Sequence, residues 1–362
     1  MERSLSKKEE FIKQQPSSQN KYNLKSKKTL VIAWAHHSIR SKKIAHSLNS
    51  NFFIKGYRSR AKILSIIKYI RLSLNTLDLL QKEKPDIIIC QIPAYFLGYF
   101  ILLYKFLTFS SKPNIILDLH TAAFHKPWTY FGFINDYLFK KSLYLIVTNK
   151  QLLSEIDFQY KNKVLILEDP IFDLPEIKNN NKITTSQLYY TFDNNYDKSF
   201  KIGIICSFAA DEPISEIIAS TQQITNVKFF ISGDYNRLHS NLLDDTPSHN
   251  LQYTGFLEYS DFIKLMSSMD VIMVLTKRDK TLLSGCYEAL MLEKPIITSN
   301  FEVLQDSFNK GAIFVDNSVP QILNAIKIVQ NNYCKLKEEI KQLKEEKNNE
   351  WNTKIEFLKS TI

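Results

Sequence analysis

Short apolar runs separated by helical stretches form the main pattern along this chain. The runs are uninterrupted and rich in β-branched residues, as is typical of strands buried on both faces of a parallel sheet. We predict strands at 29–35, 87–90, 114–119, 143–148, 164–167, 202–206, 227–232, 251–253, 271–275, 296–298 and 313–315. Alternation of strands and helices in both halves predicts an α/β fold of two doubly wound domains that face a cleft.

Length and composition divide the chain further. At 362 residues it is long for one hydrophobic core, so two domains are expected. The polar N-terminus indicates disorder, an Asn-rich stretch without period indicates a linker, and the charged C-terminus indicates a helix packed across the domains. The predicted parts are a disordered tail at 1–28, a first domain at 29–175, a linker or insert at 176–199, a second domain at 200–330 and a C-terminal helix at 331–362.

Two helical stretches of the first half carry unusually large apolar surfaces. Residues 58–80 have apolar positions at helical spacing with basic residues between them, which favours a core-facing helix. The alternative is a basic outer face that contacts anionic lipid. Residues 94–109 fall short of the ~20 apolar residues that span a bilayer, and they contain Lys105. We predict a buried helix there, with shallow membrane insertion as the alternative.

The stretch 270–300 joins a strand, a basic loop and a helix start. The loop lies at the carboxyl end of its strand, where ligands of open α/β sheets bind. Ser284, the predicted N-cap, and Gly285 begin the helix, whose free N–H groups and dipole suit a diphosphate. The basic residues of this loop are Lys277, Arg278 and Lys280.

Glu288 lies in the first turns of the same helix and has two interpretations. Its carboxylate can accept hydrogen bonds from ribose hydroxyls, which would complete a nucleotide site. Alternatively, it is a surface glutamate that complements the helix dipole. Spacing alone leaves both interpretations open.

Charge and motif content narrow the classes of ligand. The net charge of +10 favours anionic partners, such as phosphorylated small molecules or anionic lipid, unless the lysines are spread evenly over the surface. Nucleic-acid binding is not expected, because the basic residues form no stripe with interleaved aromatics. The four cysteines are far apart and predict reduced thiols. The sequence has no DxD pair, metal-ligand histidine spacing, GxxxxGK[ST] or GxGxxG, so no metal and no dinucleotide cofactor is expected.

Three segments in order resemble the nucleotide-binding domain of GT-B glycosyltransferases, and the retaining branch called family four most of all. They are IGIICSFAADEP, VKFFISGD and LQYTGFLEYSDFIKLMSSMDVIMVLTKRDKTLLSGCYEALMLEKPIITSN. The resemblance covers residues 200–330 well and 29–170 loosely. It implies two Rossmann-like domains, of which the first takes the acceptor and the second takes a nucleotide-sugar, with no cofactor besides this donor.

The resemblance also implies roles for individual residues. In the second domain, Glu288 would bind the donor ribose. The diphosphate would be held by Thr281, Ser284 and Gly285, the base would lie by Gly255, Phe256 and Leu257, and the cleft edge would be formed by Gly233 and Asp234. In the first domain, His120 matches the catalytic histidine near the donor sugar, although a structural histidine is the alternative. His37 and Arg40 would lie in the first loop, near the sugar or acceptor.

The chain departs from the family pattern at two points. The acid that usually lies eight residues before Glu288 is replaced by Lys280. The customary basic pair after the first strand of the second domain is also missing from SFAADEP, where Asp211 suggests an N-cap with Pro213 in the first helical turn. Neutralisation of the diphosphate is therefore expected from Lys277, Arg278, Lys280 or Arg237.

These observations predict a metal-independent, retaining glycosyltransferase of polysaccharide biosynthesis. Its acceptor would be a saccharide or a lipid-linked saccharide. Because the N-terminus lacks the apolar core of a secretory signal, we expect a cytoplasmic protein, with an anionic membrane surface as a further partner on the cytoplasmic face. A sugar-nucleotide epimerase and a non-catalytic partner subunit of the same fold are the alternatives.

Overall fold

The computed structural model describes residues 27–56, 62–92, 95–108, 112–125, 132–171, 199–237 and 249–362. Most of the predicted tail and almost all of the predicted linker lie outside these ranges. Within them, two six-stranded parallel sheets are flanked by helices, as predicted. The fold class expected from the sequence is confirmed.

The first sheet and its helices occupy residues 29–166. The strands are β1 (Thr29–Ala33), β2 (Asn51–Ile54), β3 (Ile87–Ile92), β4 (Asn114–Leu119), β5 (Tyr144–Val147) and β6 (Val164–Ile166). The helices are α1 (Ile39–Ser47), α2 (Lys62–Glu83), α3 (Tyr95–Leu107) and α4 (Gly132–Lys141). Short 3₁₀ helices cover Thr121–Phe124, Lys150–Glu155 and Phe158–Lys163.

The second sheet and its helices follow from residue 200. The strands are β7 (Phe200–Ile205), β8 (Val227–Ser232), β9 (Leu251–Gly255), β10 (Val271–Val274), β11 (Ile296–Ser299) and β12 (Ala312–Val315). The helices are α5 (Ile214–Gln222), α6 (Tyr259–Ser267), α7 (Ser284–Met291), α8 (Glu302–Ser307), α9 (Val319–Asn331) and α10 (Tyr333–Thr361). A 3₁₀ turn covers Tyr235–Arg237.

Strand order determines where each sheet opens a crevice. The first sheet has the order β2-β1-β3-β4-β5-β6, and the second has β12-β11-β10-β7-β8-β9. The connections therefore diverge between β1 and β3 in the first sheet and between β7 and β10 in the second. Ligands of open α/β sheets bind beyond the carboxyl ends of strands at such switch points. The loops after β7 and β10 are thus neighbours by topology.

Helix α10 joins the two domains. Its first half buries Leu336, Ile340 and Leu343 against the second domain. Its last turns bury Trp351 and the apolar side chains that follow it against a face of the first sheet, beside α1. The helix therefore packs on both domains.

The sequence did not predict strand β2. Strand β2 is short and its side chains are exposed or half-buried, so it lacks the continuous apolar signal of the central strands. It pairs in parallel with β1 at the sheet edge. Helices α2 and α3 occupy the stretches predicted to be helical, although residues 58–61 lie outside the described ranges. Among the helices that the structure describes, none is long and apolar enough to cross a membrane.

The contact of α10 with the first domain should be essential for stability. Trp351 is only 8% exposed. We expect Trp351→Ala to lower the free energy of unfolding by about 3 kcal/mol, because it leaves a cavity at this contact. Urea denaturation measures the effect. The control is Phe357→Ala on the same helix, where the ring is 51% exposed and the cost should be below about 0.5 kcal/mol. Similar costs for both variants would contradict the assignment.

Candidate active site

Loops at the carboxyl ends of the two sheets contact each other. The loop after β10 contacts the segment that follows β5 of the first sheet. The Asn149 side-chain amide donates to the Lys280 carbonyl at 3.2 Å, and the Lys280 ammonium lies 2.6 Å from a carboxylate oxygen of Glu155. The carboxyl ends of β5 and β10, which belong to different sheets, therefore lie close together.

The loop after β10 is held by a closed set of hydrogen bonds. The Thr276 amide donates to the Ser299 hydroxyl at 2.8 Å, and that hydroxyl donates to the Asn317 side-chain oxygen at 2.7 Å. Asn317 returns a hydrogen bond from its amide nitrogen to the Thr276 carbonyl at 2.8 Å. The Lys277 amide donates to the Asp211 carbonyl, which couples this loop to the loop after β7.

Helix α7 begins without a side-chain cap. Leu283 occupies the N-cap position, and Ser284 is the exposed first residue of the helix, so the prediction that Ser284 is the N-cap is wrong. Gly285 packs so closely on β10 that a Cβ atom would lie 2.9 Å from a methyl carbon of Val274. The first amides of a helix have no partner within it, so the start of α7 offers N–H groups to an anion.

Each cation predicted to neutralise the diphosphate lies near a carboxylate of the protein. The pairs are Lys277–Glu216 at 3.6 Å, Arg278–Asp211 at 3.3 Å, Lys280–Glu155 at 2.6 Å and Arg237–Asp234 at 3.8 Å. The cationic side chains are 37–62% exposed. Exposed ion pairs contribute little, about 0–1 kcal/mol each, so a diphosphate can replace these carboxylates at small cost.

In the loop after β7, a carboxylate of the protein itself binds the backbone amides. The Glu212 carboxylate accepts hydrogen bonds from the Ser207 and Ala209 amides, from the Ser207 hydroxyl and from the Cys206 thiol. Glu212 was not singled out in the sequence. The prediction that Asp211 caps the next helix is wrong, because Pro213 occupies the N-cap position and Asp211 pairs with Arg278 instead.

Glu288 lies one turn into α7 and is largely withdrawn from water. Burial raises the pKa of its carboxyl to about 7. Among the described residues no hydrogen bond reaches this carboxylate. Burial, together with the negative charge of Glu288, raises the pKa of Tyr259 to about 12. Tyr259, the first residue of α6, was missed in the sequence, although it follows Gly255 closely.

The segment assigned to the base lies at the ends of β8 and β9. Gly233 has φ +125°, and a Cβ atom there would lie 2.1 Å from the Cys206 carbonyl oxygen, so only glycine fits. Its amide donates to the Gly255 carbonyl at 3.1 Å, which joins the two strand ends. The Phe256 ring is 80% exposed beside them, and Leu257 is half-buried. Thr281, on the loop before α7, is also half-buried.

Arg40 is buried at the switch point of the first sheet. Its guanidinium pairs with Asp118 at 2.8 Å and with Asp169 at 3.1 Å, and it donates to the carbonyls of Leu167 and Glu168. Burial would raise the pKa of Asp118, but the positive charge of Arg40 and its hydrogen bonds hold it well below its ordinary range. Every nitrogen of the guanidinium thus donates a hydrogen bond within the protein.

His120 follows β4 directly and is 26% exposed. Its Nε2 atom lies 2.9 Å from the Gln91 amide nitrogen and 3.7 Å from an oxygen of Asp118. With Gln91 as the donor, the neutral ring carries its hydrogen on Nδ1, an assignment that rests on this network. The Ser41 hydroxyl orients Gln91 at 3.0 Å. His37 is exposed in the loop after β1, at the same edge of the sheet.

Comparison with known proteins identifies the class. Residues 196–352 match the family model described as glycosyl transferases group 1. No curated protein sequence matches the chain. The matched residues include the second domain and much of α10, and the glycosyltransferase class expected from the sequence is confirmed.

Solved structures confirm the GT-B fold over almost the whole chain. A glycosyltransferase from Rickettsia africae has a TM-score of 0.66 at 12% identity and covers 93% of this chain and 98% of its own. Sucrose-phosphate synthase from Thermosynechococcus elongatus has a TM-score of 0.67 at 10% identity, with coverages of 91% and 97%. Anabaena HepE in complex with UDP and glucose has a TM-score of 0.63 at 10% identity, with coverages of 92% and 100%.

We expect Asp118→Asn to lower the free energy of unfolding by about 3 kcal/mol, because it leaves the buried Arg40 guanidinium without its main counter-charge. Since the folded-state pKa of Asp118 is depressed, its contribution is present at neutral pH and is lost only in acid. Urea denaturation measures the change. Asp78→Asn, which removes an exposed carboxylate 2.8 Å from Lys82, is the control and should cost less than about 0.5 kcal/mol. Equal losses would contradict a structural role for the buried pair.

Proposed function

We propose that the protein transfers a sugar from a nucleotide-diphosphate donor to a saccharide or lipid-linked saccharide acceptor, with retention of configuration and without a metal ion. The observation that carries this proposal is that Glu288, a half-buried carboxylate with a raised pKa, lies one turn beyond the uncapped start of α7. A buried carboxylate without a hydrogen-bond donor is destabilised, and ribose hydroxyls would supply the missing donors.

The departing diphosphate would be stabilised by groups that the protein already holds in place. The unpaired amides at the start of α7 would bind its oxygens, and the adjacent loop would contribute Lys277 and Arg278. Fixed donors of this kind stabilise the negative charge that develops on the diphosphate in the transition state. In other enzymes a metal ion stabilises this charge. The complex of Anabaena HepE with UDP and glucose supports a nucleotide-sugar as the donor.

His120 would act on the sugar side of the cleft. Its ring is partly exposed at the carboxyl edge of the first sheet, and its Nδ1–H is free to donate to a sugar hydroxyl in the tautomer set by Gln91. His120 is thus the proposed catalytic residue, while Arg40 and Asp118 hold it in position.

We further propose a cytoplasmic location at an anionic membrane face, where a lipid-linked acceptor of polysaccharide biosynthesis would be presented. The net charge of +10 supports this location, since anionic lipid attracts basic proteins.

A non-catalytic partner subunit is the second candidate. Two observations favour it: Lys280, which replaces the family's acid, is paired with Glu155, and Glu212 already fills the amides of the loop after β7. Thermal stabilisation by UDP-, GDP-, ADP- or CMP-sugars would support the enzyme, and its absence would favour the subunit. Isomerised sugar formed from donor alone would instead identify an epimerase.

We expect Glu288→Gln to weaken donor binding by roughly 10- to 100-fold, the value of hydrogen bonds to a charged acceptor. Isothermal titration calorimetry with the stabilising sugar-nucleotide measures the change. Glu293→Gln, just beyond the same helix, is the control, because Glu293 pairs with Lys344 at 2.8 Å. Unchanged affinity in Glu288→Gln would refute the ribose assignment.

The same variant should alter the dependence of stability on pH. The pKa of Glu288 is raised in the folded state, so the native protein binds the proton more tightly than the unfolded chain, and stability falls as pH rises from about 4.5 to about 7. Glu288→Gln lacks this loss and should exceed the wild type by up to about 3 kcal/mol above neutrality, with little difference in acid. Unfolding measured across this range tests the sign. Parallel curves for the two proteins would contradict it.

A further inference from the structure

Helix α2 presents apolar side chains to solvent. Its inner side buries Leu72 and Leu80 in the first domain. On its outer side, Ile67, Ile70 and Leu74 are 47%, 55% and 62% exposed. The outer side of a surface helix is usually polar, so this stripe is not explained by the packing of the domain.

The apolar surface continues on the neighbouring helices. Helices α2, α3 and α4 cover the same face of the first sheet. At the end of α3, Leu103, Phe106 and Leu107 are 53%, 80% and 62% exposed. Tyr137 of α4 is 54% exposed and lines a groove of about 680 Å³ with them. These residues of α3 and α4, together with Ile67, Ile70 and Leu74 of α2, are called the outer face below.

Cations without an acidic partner surround this groove. Lys105, Lys112 and Lys141 line it, and none of them has a carboxylate within ion-pair distance among the residues that the structure describes. Burial, together with the charges of Lys141 and Lys112, lowers the pKa of Lys105. The three ammonium groups thus repel one another around an apolar centre, and an anionic partner would relieve this repulsion.

We propose that the outer face docks on an anionic lipid bilayer, with its exposed apolar side chains in the interfacial region and its lysines at the phosphate level. Aromatic and aliphatic tips flanked by lysines are the composition that binds such interfaces. This inference rests on the proposed function, because docking would bring the protein to the surface where a lipid-linked acceptor is presented.

The position of a second groove fits this arrangement. A groove of about 460 Å³ lies between α2 and the start of α3, lined by Trp34, Tyr69, Ile70 and Leu74 among others. Trp34 comes directly after β1, three residues before His37. The groove therefore extends from the outer face to the carboxyl edge of the first sheet, where the acceptor is proposed to bind. An isoprenoid or acyl chain entering from the bilayer would lie along it.

Sedimentation with vesicles tests the proposal with the full chain and no donor. We expect the protein to pellet with phosphatidylcholine vesicles that contain phosphatidylglycerol, to stay in solution with phosphatidylcholine alone, and to be released by salt. Failure to bind the anionic vesicles, or equal binding to both kinds, overturns the proposal. If the protein does not bind the anionic vesicles, the partner of the outer face would instead be an acidic protein surface.

Two pairs of variants locate the contact. Phe106→Ser with Leu107→Ser should weaken vesicle binding roughly tenfold or more, whereas Phe357→Ser, at a 51% exposed ring of α10, should not change it. Lys112→Glu with Lys141→Glu should weaken binding about fivefold or more for each lysine. The matched charge control is Lys327→Glu with Lys335→Glu on α9 and α10. Losses as large in the controls would overturn the assignment.

Donor binding separates this proposal from the proposed function. Titration of a sugar-nucleotide into the outer-face variants should give the wild-type affinity, because these residues lie away from α7. Normal donor binding with no vesicle binding in the wild type refutes the docking face alone. Vesicle binding without donor binding refutes the enzyme and leaves the docking face established.

Discussion

The buried ion pair between Arg40 and Asp118 is the interaction on which the carboxyl edge of the first sheet depends. The guanidinium also donates to the carbonyls of Leu167 and Glu168, so it fixes the segment by which the chain leaves the first sheet. Two charges withdrawn from water are tolerated only when all of their partners are in place. The strand end that carries His120 and the exit of the chain are therefore set by the same bonds.

Glu168 extends this constraint to the rest of the molecule. Its carboxylate accepts hydrogen bonds from the Tyr287 hydroxyl of α7 at 2.9 Å, from the Ser307 hydroxyl of α8 and from the Lys347 ammonium of α10 at 2.8 Å. Tyr287 precedes Glu288 directly. A change in the relative position of the domains would therefore disturb α7, the helix that is proposed to bind the donor. The disturbance would reach α7 through the Glu168 carboxylate.

Much of the fold could be predicted from the sequence because the central strands are buried on both faces and form continuous apolar runs. Strand β2 was missed because an edge strand has no such run. The βαβ unit around Glu288 was visible because loop and helix are contiguous in the chain. The ion pairs of Lys280 and Arg40 could not be predicted from the sequence. Glu155 is 125 residues away from Lys280, and Asp118 is 78 residues away from Arg40. Burial of charge depends on such distant partners, which local pattern does not contain.

The packing of α10 has a consequence for the order in which the chain folds. The face of the first sheet beside α1 is covered by Trp351, Ile355 and Leu358, which follow the second domain in the chain and are therefore made after it. Until then that face is exposed, although the strands beneath it were synthesised first. Exposed apolar surface of this kind promotes aggregation during synthesis. The first domain is consequently completed only when the second domain has been made, and truncation near the C-terminus would damage the half of the protein that was synthesised first.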